Sequence, residues 1–238
     1  MTALTAMVLS AGRGSRMRPL SAMTPKPLIE VAGKALIDHV FARLQAAGVG
    51  RFVVNVHYLA DLIEVHVKRH FGDSVVISDE RATLLETGGG VVNALPLIGS
   101  DPFLVANSDT FWVEGASNNL SRLVSAFDPE RMDGLLLLAP TVDAVGYDGQ
   151  GDFSLSSDGR LTRRGERTIA PFVYAGCAMF SRRAFDAAPE GKFSLNLTFD
   201  QLLDTGRLYG MRLDGIWLHV GTPQSIGEAE DAIFASAA

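Results

Sequence analysis

The chain has 238 residues, with 21 basic against 27 acidic, a net charge of −6, and 47% hydrophobic and 20% charged residues. That is the composition of an ordinary globular protein; it excludes disorder, a coiled coil and, because the 24 glycines show no three-residue period, collagen. The acidic balance argues against holding nucleic acid through its phosphates, which needs a basic face. The single cysteine, Cys177, excludes a disulfide framework or cysteine zinc site and fits a reducing, cytoplasmic compartment. The longest apolar runs, such as Gly134–Pro140, fall far below the ~20 residues that span a bilayer. The N-terminus lacks a basic leader segment, so neither a membrane nor a signal peptide is expected.

Ala6–Leu9 predicts a buried strand, followed by a long loop rich in Gly, Arg and Pro. Leu36, Ile37, Val40, Phe41 and Leu44 fall on one face of a helix that Gly48 ends. A second strand is expected at Arg51–Val56, a helix at Leu59–Phe71, a strand at Val75–Ile77 and a short helix at Gly90–Leu97. Pro102–Ala106 predicts a fourth strand, ending at Asn107-Ser108-Asp109. The second half is less regular. Strands are expected at 135–138, 153–155, 171–180, 208–213 and 216–220, and a helix at 197–205. A last helix should begin at Thr222-Pro223, with Thr as N-cap. Alternating strands and helices imply an α/β fold: a mostly parallel sheet covered by helices on both faces. No repeat, low-complexity segment or linker interrupts it, so one domain over 1–238 is expected.

The strongest chemical signal is Leu9-Ser-Ala-Gly-Arg-Gly-Ser-Arg-Met-Arg-Pro-Leu20 with Pro25-Lys-Pro27, directly after the first strand. In an open α/β sheet ligands sit beyond the carboxyl ends of strands. Gly12 and Gly14 let backbone N–H groups approach an anion. Arg16 suits a phosphate through paired hydrogen bonds, and Lys26 adds a point charge. The loop is neither a dinucleotide fingerprint, which would need glycine where Met17 stands, nor a P-loop, which would need Gly-Lys-Ser/Thr.

This loop resembles the signature of the sugar-phosphate nucleotidyltransferases, G-x-G-[ST]-R-[LM]-x-P-L…P-K-P. It matches at Gly12, Gly14, Ser15, Arg16, Met17, Pro19, Leu20 and Pro25-Lys26-Pro27. The resemblance implies a Rossmann-like nucleotidyltransferase domain and transfer of a nucleotidyl group from an NTP to a sugar 1-phosphate, with Mg²⁺. Residues 1–110 would bind the nucleotide and 111–238 the sugar. It further implies that Leu9, Ala11, Gly12 and Gly14 hold base and ribose. Arg16 would grip the triphosphate, and Lys26 would lie near the α-phosphate.

Leu85-Glu-Thr-Gly-Gly-Gly90 would lie before a short helix, where glycines permit close approach to a planar group and Glu86 can accept from a base N–H. By resemblance Glu86, Gly88 and Gly89 read the base. The Leu-Glu-Thr-Gly-Gly form is similar to that of the N-acetylmuramate 1-phosphate uridylyltransferases, which points to UTP; guanylyltransferases more often carry Gly-Thr-Ala-Gly here. Asn107-Ser108-Asp109 matches the family's Asn-Gly-Asp, so Asp109 inherits the metal role. Short matches add Asn107, Asp152 and Gly176 as sugar contacts. Arg163 and Arg164 are possible anion partners or simply a solvated face. Trp217-Leu-His-Val-Gly-Thr-Pro223 departs from the family's W-x-D-x-G-T-P, with His219 in place of a metal-binding aspartate. The metal role is not carried to His219; Asp152 and Asp214 are candidate replacements. Within the family the alternative is GTP with mannose 1-phosphate. Outside it, a non-catalytic nucleotide-sugar binder is the alternative that His219 motivates. His57, His66 and Cys177 are assigned structural roles, and the length leaves no room for a C-terminal β-helix.

Overall fold

A computed structural model describes residues 3–236. The first half runs β1 (Thr5–Leu9), a small hairpin of β2 (Glu30–Val31) and β3 (Lys34–Ala35), α1 (Leu36–Ala46), β4 (Arg51–Val56), α2 (Ala60–Phe71), β5 (Val75–Asp79), α3 (Glu86–Ala94) and β6 (Phe103–Asn107). Then follow β7 (Thr110–Glu114), α4 (Asn119–Ala126), β8 (Gly134–Pro140), β9 (Phe153–Leu155), β10 (Leu161–Arg163) and β11 (Phe172–Phe180). The chain continues with α5 (Leu195–Asp204), β12 (Leu208–Arg212), β13 (Gly215–His219) and α6 (Gln224–Ser236).

Strands β5, β4, β1 and β6 lie side by side and parallel. β11 joins β6 antiparallel, β8 joins β11 antiparallel, and β12 pairs parallel with β8. The strand period of two sorts neighbouring residues into separate cores. Ala6, Val8, Val54, Leu104 and Ala106 pack with the buried faces of α1, α2 and α4. Met7, Val53, Phe103 and Val105 pack with α3 and α5 on the opposite side. Strands buried on both faces explain why the sequence shows continuous apolar runs there rather than alternation. The stripe expected on α1 is the buried one: Leu36, Ile37, Val40, Phe41 and Leu44 are all below 7% exposed. None of the helices described is long and apolar enough to cross a membrane.

One boundary and several elements differ from expectation. α3 begins at Glu86, not Gly90, so the glycine run lies within its first turns rather than in a preceding loop. The β2–β3 hairpin, β7, β10 and α4 were not expected. β7 pairs antiparallel with β13 as a separate ribbon, register Thr110↔His219 to Glu114↔Gly215, so its partner is about a hundred residues away. α4 is capped by Asn118, whose side chain accepts from Ser121 N at 2.8 Å.

A buried ion pair fastens the second half. Asp133, 6% exposed, accepts from Arg207 Nε at 2.6 Å and from Arg183 Nε. Burial alone would raise its pKa, but hydrogen bonds from Arg207 and Arg183 outweigh that and hold the carboxyl below its ordinary value. A folded pKa below the unfolded ~3.9 stabilises above that pH, and the contribution is lost as pH falls through the lowered folded value. Asp133→Asn should therefore cost about 2 kcal/mol at pH 7, less than a fully buried pair because both arginines are partly exposed. Urea midpoints at pH 7 and pH 3 check this: the gap between variant and wild type should shrink at pH 3.

Candidate active site

The carboxyl ends of β1, β4 and β6 open into a cavity of about 470 Å³. Leu9 and Asn107 end β1 and β6, Asn55 is the last residue but one of β4, and all three line it. β1 stands where the order reverses, with β4 and β5 to one side and β6 to the other, and such a point leaves a crevice between the diverging loops. Ala11, Gly12, Gly14, Arg16 and Lys26 line it from the loop after β1, and Ser108 and Asp109 from the loop after β6.

The loop after β1 is held at both ends. Met17, fully buried, sits in a third core with Val31, Phe111 and Leu218. Gly14 O accepts from Met17 N at 2.9 Å and Ser21 Oγ at 2.8 Å. Gly14 has φ +59°, and a Cβ there would stand 2.9 Å from Lys26 Cβ, so the position requires glycine. Gly12 is different: nothing lies within 4 Å of a Cβ, so it faces open space. Among the described residues, the amides of Ala11 to Arg16 donate to no protein group. The result is a run of unpaired N–H groups, the kind of donors that receive anions.

Lys26 is 8% exposed and places Nζ 2.6 Å from Asp109 Oδ2. Burial pushes the Asp109 carboxyl up, but the charge and hydrogen bond of Lys26, with His219 adding, hold it below the ordinary carboxylate range. Ser108 stands where the family pattern has glycine. Its φ is not positive, and its hydroxyl donates to Leu9 O at 2.7 Å, tying the ends of β1 and β6 together.

The β7–β13 ribbon carries Asp109 and His219 to the same place, because Thr110 faces His219 in the register. It is seated by a bulge in β11, where the register slips between Tyr174 and Ala178. Gly176, φ +81°, turns the backbone there, and a Cβ would lie 2.2 Å from Thr110 Oγ1. The freed Ala175 carbonyl accepts from Thr110 Oγ1 at 3.1 Å and Trp217 Nε1 at 3.0 Å. The His219 ring stacks on Trp217, 5.3 Å between centroids, and its Nδ1 is buried without a partner. Burial lowers the His219 pKa, and Lys26 and Arg16 lower it further against the pull of Asp109, so the ring is neutral at pH 7.

Other expected residues lie outside the cavity lining. Asp152 accepts from Tyr174 N at 2.9 Å, and Asp214 accepts from Ser117 N and Oγ at 3.1 and 3.0 Å, at the far end of β13 from His219. Neither supplies a second carboxylate beside Asp109. Gly88 and Gly89 do not line the cavity either. A Cβ at Gly88 would strike the Phe193 ring at 2.3 Å, one at Gly89 the Gly191 carbonyl at 2.2 Å, and both amides donate to Phe193 O. Their lack of side chains admits the 191–193 segment. Arg163 is bound to Asp200 and Asn196, and Arg164 to main-chain carbonyls including Gly151 O. His57 Nδ1 meets Glu80 O, His66 pairs with Asp38, and Cys177 is buried, all consistent with structural roles. Burial raises the Cys177 thiol to about 12, so it is unreactive at neutral pH.

Residues that sequence reasoning missed include Asn55 and Ser194 in the lining and Glu80 behind it, while Ser10 and Thr87 stood inside the motifs without a role of their own. Thr87 Oγ1 accepts from Leu195 N at 2.8 Å, joining the two halves at the cavity rim. Glu86 lines the rim and pairs with Lys192 at 3.2 Å.

The model of the MobA-like NTP transferase domain matches residues 6–144. The chain is 47% identical over 229 residues, 94% of its length and 95% of the relative's, to an N-acetylmuramate alpha-1-phosphate uridylyltransferase of Caulobacter vibrioides. It is 35% identical over 233 residues, 95% of its length and 97% of the relative's, to an enzyme of the same name from Neisseria meningitidis serogroup B. The crystal structure of HddC from Yersinia pseudotuberculosis with GMP-PN shares the fold, with TM-score 0.77 at 23% identity over 97% of this chain and 99% of that one.

Glu86 has φ +61°, a left-handed conformation that costs an L-residue about 1–2 kcal/mol. Its ion pair with Lys192 joins two side chains 44% and 57% exposed, and such pairs contribute at most about 1 kcal/mol. Strain relief therefore outweighs the lost pair. Glu86→Gly should raise stability by up to about 1 kcal/mol, read as a higher denaturant midpoint; a lower midpoint would show that the pair dominates.

Proposed function

The chain belongs to the MobA-like NTP transferase family, and from that premise we propose that it transfers uridylyl from UTP to N-acetylmuramate 1-phosphate, releasing pyrophosphate. The observation that carries the reading is the Lys26–Asp109 pair, 2.6 Å apart beside the free amides of Ala11 to Arg16 in one cavity. The choice of UTP and of the sugar is supported by the similarity to the two uridylyltransferases over nearly their whole lengths. The lone, buried cysteine is in keeping with a reducing cytoplasm.

In this reaction a phosphate oxygen of the sugar 1-phosphate attacks the α-phosphorus of UTP. A P–O bond forms there, the bond to the oxygen bridging to the β-phosphate breaks, and pyrophosphate departs with the electron pair. The nucleophile is already anionic, so no general base has to be recruited. The protein's task is to bring two polyanions together in line and balance their charge. The free amides and Arg16 hold the triphosphate. Lys26 has three N–H donors, so it can keep Asp109 and still reach the α-phosphate.

Asp109 is one hard oxygen donor in a phosphate-binding cavity, and Mg²⁺ is commonly held by one or two carboxylates together with substrate phosphates. The donor set therefore fits with Asp109 as the protein's ligand, and the bound ion would neutralise charge on the reacting phosphates. The neutral imidazole of His219 is a poor magnesium ligand and leaves the cavity with fewer negative charges to repel substrate. In this reading residues up to about 110 serve the nucleotide. The remainder, which adds Ser194 and Gly221 to the lining, serves the sugar. Asn107 meets the sugar from the end of β6, with Gly176 and Asp152 shaping the backbone behind it.

Lys26→Ala and Asp109→Ala should each lower kcat/KM at least ~100-fold, the scale of one lost electrostatic contact to the transition state; near-normal rates in both would overturn the assignment. Pyrophosphate release with Mg²⁺, UTP and N-acetylmuramate 1-phosphate should far exceed release with GTP and mannose 1-phosphate. Turnover with the second pair alone would reverse the choice of substrates.

A further inference from the structure

Glu80 follows β5 and is 2% exposed, yet no cation pairs with its carboxylate among the described residues. Instead Oε1 accepts from Asn55 Nδ2 at 2.7 Å, and Oε2 accepts from Leu85 N at 3.1 Å. Asn55 Oδ1 in turn accepts from Ser10 N at 2.7 Å. Gly90 makes room, since a Cβ there would lie 2.8 Å from both Asn55 Nδ2 and Glu80 Oε1. Ser10 belongs to one wall of the cavity, and Leu85 immediately precedes Glu86 and Thr87 in the other.

We propose that Glu80 is a positioning residue that sets both walls of the nucleotide cavity through hydrogen-bond polarity; this rests on reading the cavity as the nucleotide site. An ionised carboxylate only accepts. It obliges Asn55 to turn its NH₂ group inward, which leaves the amide oxygen facing Ser10 N–H. One acidic group thus dictates the orientation of a second side chain and, through it, of the backbone that opens the phosphate loop. The same carboxylate holds the Leu85 amide and hence the corner from which Glu86 projects.

The polarity argument makes a sharp test. Glu80→Gln keeps the shape but puts a donor on one arm. If that arm faces Leu85 N, two donors meet. If it faces Asn55, the asparagine must flip and present NH₂ to Ser10 N–H. Either way one buried amide loses its acceptor, a loss large enough to weaken binding about tenfold or more. Glu80→Gln combined with Asn55→Asp restores every bond: the new amide donates to the new carboxylate and accepts from Leu85 N, and the carboxylate accepts from Ser10 N.

The experiment measures amide hydrogen exchange at Ser10 and Leu85, calorimetric binding of UTP with Mg²⁺, and KM for each substrate, in wild type, both single variants and the double. Glu80→Gln should speed exchange at one of the two amides about tenfold and weaken UTP about tenfold, with KM for the sugar phosphate little changed. The double variant should recover most of both. Unchanged exchange and UTP affinity in Glu80→Gln would overturn the proposal, as would a double variant no better than that single change. If Glu80→Gln does not fold, a folded double variant supports the polarity argument and an unfolded one overturns it. Wild-type protein that fails to bind UTP, with exchange responding as expected, would overturn the nucleotide reading and leave the hydrogen-bond role of Glu80 intact.

Discussion

The contact between Lys26 and Asp109 joins two loops that would otherwise diverge from the sheet. One loop follows β1 and the other follows β6, and these strands are neighbours only because the order reverses at β1. A buried lysine needs a partner, and removing either member would leave an uncompensated charge. The pair therefore constrains much around it. Gly14 must lack a side chain to let the lysine stem pass, Ser108 braces the backbone just before Asp109, and the β7–β13 ribbon leaves directly after it.

The electrostatics follow from the same arrangement. His219 is kept neutral by burial and by the two cations near it, so around the phosphate loop the cavity holds Arg16 and Lys26 against Asp109, while Glu86 at the rim is paired with Lys192. Arg16, Lys26 and the unpaired amides beside them give the cavity a local place for an anion although the whole chain carries −6. Net charge thus speaks to solubility and to bulk nucleic-acid binding, and says little about a small enclosed site.

The parallel half of the fold was legible because its strands are buried on both faces and its helices carry a one-sided apolar stripe; β4 was expected at the bounds it occupies. The phosphate loop was legible because its glycines and cations are dense and local. β7 was not, because Thr110–Glu114 directly follows Asn107-Ser108-Asp109 and gains its meaning from a partner strand a hundred residues on. The start of α3 was misjudged because glycines are poor helix formers; tertiary contact with Phe193 and Gly191 outweighs that preference. Glu80 gave no usable signal, since Ser78-Asp79-Glu80-Arg81 has the composition of a solvated turn and only the fold buries the middle carboxylate.

The three consecutive glycines of α3 have a consequence for how this chain can drift over generations. Gly88 is confined by an aromatic ring, Gly89 by a carbonyl, and Gly90 by an amide and a carboxylate. The 191–193 segment guards Gly88 and Gly89 and the Asn55–Glu80 pair guards Gly90, so no one compensating change elsewhere frees the run. The segment that looks most permissive in composition is thereby among the least permissive in inheritance. Gly12 is the opposite case: its surroundings leave open space, so any restriction on it comes from the ligand alone.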